Sequence, residues 1–123
     1  MSADDWEERA LLGERLARRL DAVPVRERLL QLLLDNRNTA VTYRTALALL
    51  DRRDRLGLEL IVTASTQADD DTNQWLGDAV AEFRARSLGA DDEFLRNTLG
   101  ELISGARPPV TGAAEELLRE VTS

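Results

Sequence analysis

LELIVTAS, residues 58–65, decides the fold class. Ile61, Val62 and Thr63 suit a strand, because β-branched side chains pack well on a pleated surface. No second strand candidate occurs elsewhere in the chain, and a lone strand has nothing to pair with. A buried helix accounts for the same apolar run. The segment is therefore predicted as a helix, and the whole chain becomes all-α.

The surroundings of this run read the same way. A first helix is predicted from Asp4 or Asp5 to about Ala22, with Leu12, Leu16, Leu20 and Val23 on one face. Pro24 then opens a second helix that ends near Leu34, and its dense leucines predict a central position. The turn DNRNT, residues 35–39, is read as a connector. Asp35, Asn36 and Asn38 favour local side-chain to backbone hydrogen bonds, and Asn38 or Thr39 can cap the third helix. That helix covers about Ala40 to Arg55, with Gly57 read as its left-handed C-terminal cap. Beyond LELIVTAS, a fifth helix is predicted from about Thr72 to Leu88 and a sixth from Asp91 or Asp92 to Gly105. Residues 105–112, GARPPVTG, read as linker or extended arm. Six to seven antiparallel helices result, in three units: a helical domain over 1–104, the linker over 105–112, and a C-terminal helix over 113–123, docked or frayed. Six acid-first pairs four residues apart, such as Glu82 with Arg86 and Glu14 with Arg18, fit exposed helix faces.

Composition narrows function. At 123 residues the chain can bury the core of one domain. It contains no cysteine, histidine or lysine, and all 16 basic residues are arginine. The usual imidazole base, thiol nucleophile and Schiff-base amine are thus missing, so the expectation is a non-enzyme with no catalytic residues, no cofactor and no metal. An acidic N-terminus and apolar runs far shorter than the roughly 20 residues of a membrane span point to a soluble, cytoplasmic protein without a membrane partner. The net charge is −7, with residues 1–56 at +1 and residues 57–123 at −8. Such a field repels phosphate backbones and excludes nucleic acid as the expected partner; it attracts a basic protein.

Offsetting the chain by 34 residues lays 35–49 over 69–83, with Val41 against Trp75, Ala46 against Val80 and Leu49 against Phe83. A leucine-rich helix, an aspartate turn and a helix with Val41, Ala46 and Leu49 resembles a HEAT-like helical repeat over about residues 25–85. The arginine usually beside the valine is displaced to Arg44, and no third clear copy appears. A short HEAT-like array or a compact helical bundle is the matching architecture. The chain is also similar in style to small uncharacterised actinobacterial proteins. What the HEAT-like resemblance implies is protein binding on an extended helical surface, with no catalytic residue carried over.

The most tempting local motif is the D-x-D-x-N of Asp69, Asp71 and Asn73. A calcium loop would need glycine where Gln74 stands and glutamate where Val80 stands, so capping by Asp71 or Thr72 is the preferred reading. Arg52, Arg53 and Arg55 suit the negative end of a helix dipole, and Tyr43 and Thr42 have no base beside them. Trp75 and Phe83, eight residues apart, are predicted as core. Trp6, flanked by acids, is read as a rim residue. The candidate partner-binding set is Trp6, Asp69, Asp70, Asp71, Asp78 and Glu82. A basic partner is expected, an immunity or antitoxin-type protein against a basic toxin being the narrower form, and self-association is compatible. The alternative is a carboxylate-dependent metal-binding protein or enzyme built on Asp69, Asp70, Asp71 and Asp78.

Overall fold

The computed structural model describes residues 6–19, 22–35, 38–105 and 110–122. Seven helices occur among them and no strand: α1 (Trp6–Leu16), α2 (Val23–Leu33), α3 (Thr39–Asp51), α4 (Arg55–Ser65), α5 (Asp70–Arg86), α6 (Asp92–Gly105) and α7 (Val110–Thr122). LELIVTAS forms most of α4, with Leu58, Leu60, Ile61, Val62 and Ala64 all buried. That helix, and not α2, is central: it touches α2, α3, α5, α6 and α7. The apolar residues of α4 surround its axis, whereas α2 buries Leu29, Leu32 and Leu33 and leaves Val23 exposed.

Helices pack on their second neighbours. α1 lies on α3 and α3 on α5, while α2 lies on α4, and the α6–α7 pair closes the bundle against α4. Within the α1–α3–α5 layer the chain directions agree: Arg9 reaches Asp35 just before α3, and Arg52 just after α3 reaches Ala17. Tyr43 likewise meets Trp75 and Arg53 meets Phe83. One end of the layer therefore gathers three helix N-termini and the other gathers three C-termini.

Helix starts follow capping chemistry. Asn38 accepts from the Ala40 N–H at 2.9 Å, Asp54 from Gly57 at 3.0 Å and Asp69 from Thr72 at 2.8 Å. Each satisfies a backbone donor that the first turn leaves open. Asp69, rather than Asp71 or Thr72, is the cap of α5, so the helix begins two residues earlier than expected. Gly57 does not end α3. It sits buried in the first turn of α4, where a Cβ would lie 2.5 Å from the Leu49 carbonyl oxygen. The left-handed turn falls on Arg53 (φ 53°), a conformation costing a non-glycine residue about 1 kcal/mol. Arg53 is held there by a two-pronged ion pair to Asp91 (3.0 and 3.1 Å) and by the Phe83 ring, 5.1 Å from its guanidinium carbon.

Two further boundaries differ from the sequence reading. α1 ends at Leu16 and buries Ala10, Gly13 and, just beyond it, Ala17, while Leu12 and Leu16 are only half-buried; Leu20 lies outside the described residues. Gly105 still belongs to α6, and α7 starts at Val110, so residues 110–112 are helical; 106–109 lie outside the described residues. The last helix docks, burying Ala114 and Val121. No helix among the described residues is long and apolar enough to cross a membrane.

Candidate partner-binding surface

α5 carries two faces with different chemistry. Leu76, Ala79, Val80 and Phe83 turn inward, with Phe83 only 1 % exposed. Trp75, expected in that core, is 38 % exposed. At 3.6 residues per turn it stands about 80° from the centre of the buried stripe, which puts it at the edge. Its ring packs edge-on against Tyr43 of α3, with centroids 6.0 Å apart and planes at 84°. That T-shaped contact fixes the indole while leaving it accessible.

Asp71, Trp75, Asp78 and Glu82 follow one another at spacings of four, three and four, so they form a single stripe on the outer side of α5. Asp71 and Asp78 are exposed. Glu82 is paired with Arg86 at 2.9 Å, and this pair holds the Arg86 guanidinium above its ordinary pKa. Asp70 lies off the stripe in the same first turn. Asp69 has a different task, since the Thr72 backbone N–H it accepts lowers its pKa and keeps the cap ionised. Trp6, the first residue of α1 and 36 % exposed, stands at the same end of the layer, with α3 between it and α5. Of the six sequence candidates, Asp71, Asp78 and Glu82 are thus brought together, and Trp75 and Tyr43 are the members the sequence reading left out. The signal was available: a tryptophan with acids four before, three after and seven after it lies on their face.

The opposite end of the layer is arginine-rich. A groove of about 460 Å³ is lined by Arg18, Arg44, Arg52 and Arg86 beside Glu14 and Asp51. Most of these cations are engaged: Arg44 with Glu14 at 3.0 Å, and Arg52 with Asp54 at 2.6 Å and with the Ala17 carbonyl at 2.7 Å. Burial pushes the Asp54 carboxyl up, but the hydrogen bonds from Arg52 and the Gly57 N–H outweigh it and the net shift is downward. DNRNT proves structural in its described part. Arg9 Nε donates to Asp35 Oδ2 at 2.7 Å with both side chains almost buried, and Thr42 Oγ1 donates to the Asp35 carbonyl; Asn36 lies outside the described residues.

Among the described residues no group of three or more carboxylates is placed to hold a metal ion. The hydroxyls of Ser65 and Thr66 donate back to the Val62 and Thr63 carbonyls within their own helix. The arrangement is therefore an all-helical bundle presenting an acidic stripe around an accessible aromatic pair. Comparison with protein families, curated proteins and solved structures returned no match.

Proposed function

We propose that this chain is a non-catalytic protein-interaction module whose acidic C-terminal half binds a basic protein partner, with α5 as the contact face. Accessible Trp75 within the Asp71–Asp78–Glu82 stripe is the observation that carries this reading. Tryptophan at the middle of a contact supplies large rigid area, and the surrounding carboxylates steer a cationic surface toward it. Packing of alternate helices in layers is compatible with a short HEAT-like array, in which such a face is the working surface. A cytoplasmic immunity or antitoxin-type protein that covers a basic toxin is the specific form this takes.

The test is affinity capture from the source cell at low and high salt, with the captured protein identified and titrated against wild type, Trp75→Ala, Trp6→Ala and the Asp71→Arg/Asp78→Arg pair. Expected is a basic partner whose binding weakens with salt and is lost with Trp75→Ala and on charge reversal. Capture indifferent to salt, or equal capture by the charge-reversed protein, overturns the reading. Retention of a second copy of this chain would reassign the face to self-association.

A further inference from the structure

On the side of α5 turned away from Trp75, α4, α5 and α7 leave an open cleft of about 230 Å³. Its apolar floor is built from Ile61 and Val62 of α4, Leu76 and Val80 of α5 and Leu117 of α7, with the polar Ser65 and Asn73 beside them. Two features set it apart from an ordinary packing gap.

The first is Gly77, in the middle of α5. Glycine is the poorest helix former after proline. At Gly13 and Gly57 the missing side chain is required, because a Cβ there would strike Thr45 or the Leu49 carbonyl. At Gly77 a Cβ would meet nothing within 4 Å. Gly100 and Gly112 are equally open but line neither this cleft nor the arginine-rich groove. Helix stability is forgone at Gly77 with no packing reason, at a position where a side chain would fill the cleft. Ala113, on the facing helix, is also small.

The second is charge. Among the described residues the lining carries two carboxylates, Glu116 and Glu120 of α7, and no arginine, whereas four arginines line the other groove. Arg84 approaches the backbone end of α7, its Nη1 donating to the Glu120 carbonyl at 3.5 Å, and it interacts with the Glu120 charge. Glu116 is exposed at the rim. An apolar floor with carboxylates along one wall complements a cation carried on a hydrocarbon body. The volume falls below the roughly 300–1,000 Å³ of pockets for drug-sized ligands, so the body must be short.

We propose that this cleft is a binding site for a small organic cation, an ammonium or guanidinium group on a short apolar body, separate from the α5 partner face. The probes are 2-phenylethylamine, 2-phenylethanol and 3-phenylpropionate, which share a body and differ in charge, titrated into the full chain by amide NMR. The amine is expected to shift signals of α4, α5 and α7, the alcohol to bind about two- to fivefold more weakly, as befits loss of a solvent-exposed charge contact, and the carboxylate to leave the spectrum unchanged. Gly77→Leu should abolish amine binding while the thermal midpoint holds or rises, the signature of a cleft filled. Glu116→Gln should bring the amine down to the affinity of the alcohol, and this rim variant decides the matter if Gly77→Leu does not fold. No shift with the amine, equal binding of all three probes, or amine binding that survives both substitutions overturns the proposal.

Discussion

The two outer helices of the α1–α3–α5 layer bury residues at the same spacing and fill it in opposite ways. α1 presents Ala10, Gly13 and Ala17 at steps of three and four; α5 presents Leu76, Ala79 and Phe83 at the same steps. α3, between them, carries Thr42, Thr45 and Leu49 among its buried residues. A Cβ on Gly13 would strike Thr45 of α3, so small residues let α1 come close to α3, while leucine and phenylalanine fill the core side of α5. Burial on α1 depends on volume being absent and burial on α5 on volume being present. Truncation and enlargement should therefore hurt them differently.

The largest effect is expected on α5. Phe83→Ala removes a buried ring and should cost about 3–5 kcal/mol in urea or thermal unfolding. Trp75→Ala, eight residues away on the same helix, should cost only about 1–2 kcal/mol, from the Tyr43 edge contact and partial burial. Equal losses would mean that the indole is core after all. At Gly13 on α1 the sign reverses. Gly13→Ala improves helix propensity by about 1 kcal/mol, yet its Cβ would strike Thr45 Oγ1, and overpacking costs about 1–3 kcal/mol, so a net loss of about 1 kcal/mol is expected. Thr45 Oγ1 is buried with no hydrogen-bond partner among the described residues. Adding Thr45→Ala should accordingly restore stability in the double variant, measured by the same unfolding curves.

The smallest effect concerns the ties that Arg53 and Arg84 make at the start of α6. Arg53 binds Asp91, and Arg84 binds Asp92 at 2.9 and 3.0 Å, which holds both carboxyls below their ordinary value of 3.8. A folded-state pKa below the unfolded one means stability that is complete above about pH 4 and is lost as acid protonates the folded carboxylates. The thermal midpoint of the wild type should fall on acidification below about pH 4, and an Asp91→Asn/Asp92→Asn variant should show a flatter fall from a lower start.

Residue type and spacing carried most of the fold. The reading of LELIVTAS as a helix, the inward Phe83 and the cap at Asn38 each depend on a segment and its immediate neighbours. What failed depended on neighbours far away in sequence. Leucines were expected to mark the buried side of α1, but a close helix crossing selects Ala10, Gly13 and Ala17 instead. Charges were assigned to partners four residues along. Glu82 with Arg86 forms, whereas Arg9 turns to Asp35, Glu14 to Arg44 and Asp92 to Arg84. Three members of the candidate face, Asp71, Asp78 and Glu82, were singled out by charge alone; Trp75 was missed because an aromatic at the edge of an apolar stripe satisfies the core pattern and the surface pattern equally.

The side-chain ties between helices have one more consequence, which concerns the order of assembly. Arg9 to Asp35 spans 26 residues, Arg44 to Glu14 spans 30, Arg52 to Ala17 spans 35, and Arg53 to Asp91 spans 38. Each closes a loop of about one helix pair, and loop-closure entropy rises only slowly over such lengths. Helical bundles fold quickly, on the microsecond-to-millisecond scale. A growing chain can lay α3, α4 and α5 each on the helix two elements earlier, and α7 then packs on α6 to close the bundle.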